Sequence, residues 1–197
     1  MTRVKLCGMM RPEDVQAAAA LHPDYVGFIL SAGFRRSISR ERFLAMRPLL
    51  ADSGAKAVGV FVDASAEEIL AYAEMLDVIQ LHGNEYNSYI RELKQITGKS
   101  VIKAFRIASA ADLDAAAKSA ADLVLLDSGT GTGQTFDWSL LKDFPRPYLL
   151  AGGLHPENVR AAIDTLHPYG VDVSSGIETE GIKDAEKMRR FVENARN

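Results

Sequence analysis

The sequence predicts an α/β fold in which strands and helices alternate and close into a (β/α)8 barrel. Eight short apolar runs recur along the chain, and a helix-type stretch follows each of them. This alternation indicates a parallel sheet, because parallel neighbours require a crossover connection. The runs are almost continuously apolar, which is typical of strands covered on both faces. Eight such units within residues 1–197 favour one compact domain with the TIM-barrel architecture.

The strands are predicted from their apolar and β-branched content. In chain order they begin near Val4, Tyr25, Ala55, Val78, Ser100, Leu123, Tyr148 and Gly170. Their sequences read VKLC, YVGFIL, AVGVFV, VIQLH, VIKAF, LVLLD, YLLA and VDVS. An open, doubly wound parallel sheet is the structural alternative, because a count of strands alone does not show whether the first pairs with the last.

Helix start signals lie between the predicted strands. Ser39 is expected to cap RERFLAMRPLL, and Pro48 is expected to end or bend that helix. Ser65 with Glu68 has the spacing of a capping box. Further helix starts are indicated by Ser109 with Asp112, by Asp137, by Pro156 as a first helical residue, and by Asp184.

Composition narrows the class of protein. Of the 197 residues, 47% are hydrophobic and 25% charged, which provides enough apolar mass for a folded core. The net charge is -3 and no basic stripe is visible, which argues against a nucleic-acid partner. No apolar run reaches the roughly 18 residues of a membrane span, and the N-terminus does not read as a signal peptide. We therefore expect a cytoplasmic protein with no membrane partner.

Polar residues share one side of several predicted strands, because side chains alternate between the two faces of a strand. The polar set expected inside the barrel is Lys5, Cys7, Gln80, His82, Lys103, Asp127 and Asp172. The apolar set expected to meet the helices is Val4, Leu6, Ile79, Leu81, Ile102, Val124 and Leu126. Buried charges need partners, so Lys5 and Lys103 are expected to pair with Asp127 and Asp172. The favoured interpretation is that both lysines belong to a structural ionic layer and have no catalytic role.

Cys7 and Asp127 are the candidate catalytic residues. Each ends a strand at the face where barrel enzymes place their chemistry. A carboxyl group at the end of a buried strand suits acid catalysis, and a thiolate suits base catalysis. The alternatives are an inert buried cysteine and an aspartate that caps a turn.

Two glycine-bearing segments predict a phosphate site. Gly152 and Gly153 follow the seventh strand, and Ser175 and Gly176 follow the eighth. In barrels these two loops commonly bind phosphate, together with the N-terminus of a short extra helix. A turn of no further significance is the alternative for either segment alone.

A second charged group is expected at the same mouth. Arg35 and Arg36 lie in the loop after the second strand, where a guanidinium can bind a carboxylate through two hydrogen bonds. The four histidines show no HxH or HxxxH spacing, so no metal site is predicted.

In this order, these motifs resemble the phosphoribosylanthranilate isomerase family of tryptophan biosynthesis. The motifs that carry the resemblance are VKLCG, GFILSAGFRRSIS, VGVFV, VIQLHG, LLDS, GTGQTFDW, AGGLHPENV and VDVSSGIET. Single motifs have little specificity, whereas the ordered set is highly specific and covers nearly the whole chain. One departure is Gln134, which stands where the family frequently has a lysine.

The resemblance implies an Amadori rearrangement of N-(5-phosphoribosyl)anthranilate to 1-(2-carboxyphenylamino)-1-deoxyribulose 5-phosphate. It implies that Asp127 is the general acid and Cys7 the general base, and that Arg36 binds the anthranilate group. His82 and Asp172 fall on pocket positions, and Gly152, Gly153, Ser175 and Gly176 fall on the phosphate loops. The implied partner is a phosphorylated small molecule, without cofactor or metal, and the implied assembly is a monomer or a homodimer.

Two other functions compete with this interpretation. A metal-dependent sugar-phosphate epimerase on the same fold would need His and Asp ligands at several strand ends, and strands two and three carry no His. A non-catalytic sugar-phosphate sensor would be favoured by loss of Cys7 or Asp127, and both are present.

Overall fold

Eight parallel strands close into a barrel in the computed structural model, which describes residues 1–127 and 141–197. The strands are β1 Arg3–Cys7, β2 Tyr25–Ile29, β3 Lys56–Phe61, β4 Val78–Leu81, β5 Ser100–Arg106, β6 Leu123–Asp127, β7 Tyr148–Ala151 and β8 Gly170–Val173. Strand β1 pairs with both β2 and β8, so the sheet has no open edge. The predicted (β/α)8 class is confirmed, and the open-sheet alternative is wrong.

Seven helices of the described ranges cover the outside of the barrel. They are α1 Pro12–Ala19, α2 Arg40–Met46, α3 Ala66–Ala73, α4 Asn87–Thr97, α5 Ala110–Ala117, α6 Val159–Leu166 and α7 Ala185–Arg196. Their apolar faces pack on the outward side chains of the strands, where Leu6, Phe28, Ile79 and Leu126 are fully buried. None of these helices combines the length and the apolar composition that a membrane span needs.

Most of the predicted helix boundaries are confirmed. Ser39 accepts a hydrogen bond at the start of α2, and the helix ends at Met46, before Pro48. The capping box of Ser65 and Glu68 opens α3 as predicted. The remaining confirmed starts are those of α5 at Ser109 with Asp112 and of α7 at Asp184.

The predicted helix start at Pro156 is wrong, because α6 begins at Val159. The turn before α6 is held by Asn158, whose side chain accepts from the His155 amide at 2.8 Å and donates to the Gly153 carbonyl at 3.0 Å. These bonds satisfy a backbone N–H and a carbonyl in the turn that precedes the helix. The predicted cap at Asp137 and the departure at Gln134 lie outside the described residues.

A short hairpin between β8 and α7 was not predicted. Its strands are β9 Glu178–Thr179 and β10 Ile182–Lys183. Glu180 and Gly181 form the two-residue turn with φ of 51° and 81°, which is the backbone of the type I′ turn preferred in tight hairpins. The hairpin lies over the end of β1 and carries two ionic residues of the site.

One strand faces opposite to the prediction. Ile102 lies beside Gln80 in register and belongs to the apolar cluster inside the barrel, whereas Lys103 lies beside Leu81 on the outer side. The predicted pairing of Lys103 with an interior aspartate is therefore wrong. Its ammonium instead donates to the Gly83 carbonyl at 2.7 Å and pairs with Glu85 at 3.2 Å. The loop after β4 thus satisfies this buried charge.

Candidate active site

A cavity of about 510 Å³ opens at the carboxyl ends of the barrel strands. It gathers eight of the nine predicted site residues, namely Cys7, Arg36, His82, Asp127, Gly152, Gly153, Asp172 and Ser175. These residues come from six different strand ends or the loops that follow them, so the closed barrel is what brings them together. Gly176 is the exception and packs against the backbone of Leu154, in the loop after β7.

The thiol of Cys7 lies beside the buried ammonium of Lys5. An added Cβ at Gly27 of β2 would be 2.6 Å from the Cys7 Sγ and 3.2 Å from the Lys5 Nζ, so glycine leaves room for both groups. Lys5 is fully buried, and its Nζ donates to Asp172 Oδ1 at 2.7 Å. Burial acts to lower the pKa of Lys5, but Asp172 and Cys7 more than offset it and raise that pKa. Lys5 is therefore a permanent positive charge next to the thiol.

A second cluster of charges packs against the loop that follows Cys7. Lys183 has a fully buried side chain whose Nζ bonds Glu178 at 2.9 Å and the Ser174 carbonyl at 2.8 Å. Burial lowers the pKa of Lys183. Burial would raise the pKa of Glu178, but hydrogen bonds from Arg36, Lys183 and Arg35 lower it to about 2. Glu178 is therefore ionised in the folded protein at neutral pH.

Arg36 is oriented by this cluster. Its Nε donates to Glu178 Oε1 at 2.5 Å and its Nη2 to Oε2 at 3.1 Å. These two hydrogen bonds occupy one edge of the planar guanidinium. Arg36 also lines the cavity. The second edge, formed by Nη1 and Nη2, has the geometry to bind a carboxylate.

His82 stands between Gln80 and Asp127 on the cavity wall. Its Nε2 is 3.8 Å from Asp127 Oδ2, and its Nδ1 is 3.3 Å from Gln80 Nε2. Burial lowers the pKa of His82, and this outweighs the carboxylates of Asp127 and Asp172, which act to raise it. The imidazole is therefore neutral at pH 7. A hydrogen on Nε2 facing Asp127 leaves Nδ1 to accept from the Gln80 amide.

Backbone groups of the loops after β7 and β8 line a further part of the cavity. Gly152 and Gly153 have φ of 92° and 63°, a left-handed conformation that glycine adopts without strain. After β8, Ser175–Ile177 form a single 3-10 turn. An added Cβ at Gly176 would lie 1.9 Å from the Leu154 carbonyl oxygen, so glycine here lets the two loops pack backbone to backbone.

Sequence reasoning missed two residues of the site, Glu178 and Lys183, and found the setting of Lys5 only in part. Lys5 was assigned a structural ionic role, and its pairing with Asp172 is confirmed. The glycine after Glu180 is a hairpin signal that could have located β9 and β10. Nothing local marks Lys183 as a buried neighbour of the loop after β1.

Within residues 1–127 and 141–197, no three His, Cys, Asp or Glu side chains are arranged to hold a metal ion. The polar groups of the cavity instead include a thiol beside an ammonium, a carboxyl beside a neutral imidazole, and an oriented guanidinium. Such a set can give and take protons and can bind an anion at each side.

Comparison with known proteins gives a consistent result. Residues 4–194 match the family model described as N-(5'phosphoribosyl)anthranilate (PRA) isomerase. An N-(5'-phosphoribosyl)anthranilate isomerase of Thermoanaerobacter sp. (strain X514) is 44% identical, over 100% of this chain and 98% of that protein.

Solved structures agree with the sequence comparison. A phosphoribosyl anthranilate isomerase in complex with reduced 1-(o-carboxyphenylamino)-1-deoxyribulose 5-phosphate superposes with a TM-score of 0.87 at 37% identity, covering 100% of this chain and 99% of the other. A structure of mutually generated monomers of the dimeric enzyme from Thermotoga maritima has a TM-score of 0.87 at 38% identity, with the same coverage.

Proposed function

This chain belongs to the N-(5'-phosphoribosyl)anthranilate isomerase family and isomerises that aldose derivative to the ketose in tryptophan biosynthesis, and we propose that Asp127 and Cys7 are its general acid and general base. The observation that carries the assignment is that both residues line one cavity in contrasting settings. Cys7 adjoins the buried ammonium of Lys5, and Asp127 adjoins the neutral imidazole of His82.

The first step is opening of the ribose ring. Asp127 gives its proton to the ring oxygen as the bond from that oxygen to C1 breaks. The nitrogen lone pair forms the C=N bond, which leaves a Schiff-base cation and a free hydroxyl on the sugar chain. His82 Nε2 faces this carboxyl group at 3.8 Å, beyond hydrogen-bond distance in this structure.

The second step is removal of the proton at C2. The Cys7 thiolate takes this proton, and the C–H electron pair forms the C1=C2 bond while the electrons of C=N return to nitrogen. The resulting enolamine becomes the ketone when a proton is added at C1 and the C2 hydroxyl loses its own. The charged Lys5 ammonium lies beside the Cys7 sulfur that takes this proton.

The two anionic ends of the substrate fit the two sides of the cavity. The anthranilate carboxylate binds the second edge of the Arg36 guanidinium, with Asp172 and His82 on the wall between the ends. The phosphate binds the backbone N–H groups of the loops that carry Gly152, Gly153, Ser175 and Gly176. Peptide N–H groups can bind this anion without a lysine or arginine.

The assignment is tested by turnover of freshly formed phosphoribosylanthranilate, followed through the loss of its fluorescence. Cys7→Ser and Asp127→Asn should each lower kcat by about 10²–10⁴-fold, because each removes a proton-transfer group while keeping its shape. Asp114→Asn is the matched control, since Asp114 is an exposed helix residue that pairs with Lys118. Near-normal kcat in Asp127→Asn would move the acid to another residue.

For the assembly and location of the enzyme we propose a monomer or homodimer of one domain in the cytoplasm. A Thermotoga maritima relative is dimeric, and the family match spans residues 4–194. Cys7 is the single cysteine and must stay reduced to act as a base, which a reducing compartment ensures. Light scattering of the eluting protein distinguishes the two assemblies.

A further inference from the structure

Gln80 has a buried carbonyl oxygen that the mechanism above does not use. The residue is 2% exposed, yet its side chain lines the cavity beside His82. Its Oε1 has no hydrogen-bond partner among the described residues. A buried polar atom without a partner destabilises the folded state, so an acceptor of this kind at a cavity wall points to a ligand that supplies the missing donor.

The orientation of the amide follows from its neighbours. With the hydrogen of the neutral imidazole on Nε2, the nitrogen that faces the Asp127 carboxyl group, Nδ1 accepts from the Gln80 amide nitrogen at 3.3 Å. That contact fixes the amide nitrogen toward His82 and turns Oε1 away from it. The protein thus presents a fixed acceptor, not a donor, from the middle of β4.

The substrate offers this acceptor few groups to bind. Its phosphate and carboxylate are acceptors at neutral pH, and the proposed function places them at the β7–β8 loops and at Arg36. The sugar chain lies between those ends and carries hydroxyl donors. We propose that Oε1 of Gln80 accepts a hydrogen bond from a hydroxyl of the substrate's sugar chain, and so selects how that chain lies between Asp127 and Cys7.

This inference rests on the proposed function for the placement of the two anionic ends. Gln80 is then a substrate-binding residue in addition to holding His82. These two roles make different predictions. If Gln80 acted only through His82, replacing it would have no effect once His82 is absent. If Oε1 contacts the sugar, the effect remains.

The test is calorimetric binding of the reduced product analogue, 1-(o-carboxyphenylamino)-1-deoxyribulose 5-phosphate in reduced form. Gln80→Met removes the acceptor at similar volume and should weaken binding about tenfold, the size of one lost neutral hydrogen bond at a buried site. Gln95→Met makes the same change on the exposed face of α4 and should bind as wild type does. Inorganic phosphate, which has no sugar hydroxyl, should bind both Gln80→Met and wild type equally.

Two further measurements decide between the roles. The tenfold loss should persist when Gln80→Met is combined with His82→Ala. Analogues that lack one sugar hydroxyl are then compared with the full analogue. One of them should bind wild type about tenfold more weakly than the full analogue does, and should bind Gln80→Met as tightly as the full analogue does. Unchanged affinity in Gln80→Met would overturn the inference. So would a result in which, for every deoxy analogue, the loss of affinity from the missing hydroxyl adds in full to the loss from Gln80→Met. Binding needs no proton transfer, so failure of the Cys7 or Asp127 assignment appears in kcat and leaves these affinities unchanged.

Discussion

Two parts of the cavity differ in the groups that line them, which are ionic side chains in one and backbone peptide groups in the other. Around β1, the loop after β2 and the hairpin, the groups are ionic side chains that bond one another, as in Lys5 with Asp172 and Arg36 with Glu178. On the side of the β7 and β8 loops, the groups are peptide units at Gly152 and Gly153. Both sides are expected to meet an anion of the substrate.

The difference shows two ways of binding an anion at one barrel mouth. A side-chain cation supplies full charge but needs a buried counter-ion to orient it, and removing one partner leaves the other uncompensated. Peptide N–H groups supply partial charge that the backbone already orients, so truncating a side chain removes little. The predictions below test this contrast, from the largest expected effect to the smallest.

Lys5→Met should have the largest effect on the ionic side. It leaves Asp172 without its buried partner, which costs about 3–5 kcal/mol in the free energy of unfolding measured by urea denaturation. Alkylation of Cys7 by iodoacetamide should also slow, because the charge beside the thiol is gone. Adding Asp172→Asn should restore most of the stability but not the alkylation rate. A stable single variant would show that the pair contributes little.

Glu178→Gln should make the stability of the ionic side less dependent on pH. The pKa of Glu178 in the folded protein is about 2, below its ordinary value of 4.5, so its stabilisation is complete above pH 4.5 and is lost as the pH falls through about 2. Melting temperatures from pH 7 to pH 2 should therefore show wild type above the variant at neutral pH, with the gap closing in acid. A gap that stays constant would contradict the ionic role of Glu178.

Arg36→Met should raise KM by about 10- to 150-fold, equivalent to about 1.5–3 kcal/mol for a lost charged hydrogen bond. Arg35→Met is the matched control, because Arg35 also bonds Glu178 but does not line the cavity. Steady-state kinetics of both variants separate the roles. Equal effects of the two substitutions would mean that the arginines serve the hairpin and not the substrate.

Gly153→Val should reduce affinity for inorganic phosphate on the backbone side, measured by competition with the substrate. The added side chain blocks approach to the peptide groups and strains a left-handed residue. Gly54→Val is the matched control, since Gly54 has a similar φ of 72° with open space around it, far along the chain from these loops. Phosphate competition that is equal in both variants would place the anion elsewhere.

Ser175→Ala should have the smallest effect, a change in KM of less than about threefold, because the proposed donor is the backbone N–H and not the hydroxyl. Kinetics under the conditions used for Arg36→Met give a direct comparison of the two sides. A loss as large as that of Arg36→Met would remove the distinction between them.

The sequence by itself determined the strands and their order. Buried parallel strands need nearly continuous apolar runs, and this pattern marks each strand locally, so the predicted starts lie within one residue of those observed. It also determined that Cys7 and Asp127 end strands at one mouth, because the carboxyl ends of parallel strands meet on the same side. Helix caps at Ser39 and Ser65 were predictable because the bonds they make span three residues.

Only the tertiary structure decided which charges meet. Arg36 and Glu178 are 142 residues apart, so no local pattern specifies their contact. Strand alternation predicted an aspartate partner for Lys5, but only the fold decided that this partner is Asp172, 167 residues away. For β5 both faces carry apolar residues, and Lys103 could be assigned to the outer face only once the loop with Glu85 was in place to satisfy its charge. The buried acceptor of Gln80 has the same origin, because its lack of a partner among the described residues depends on how distant parts of the chain fold around it.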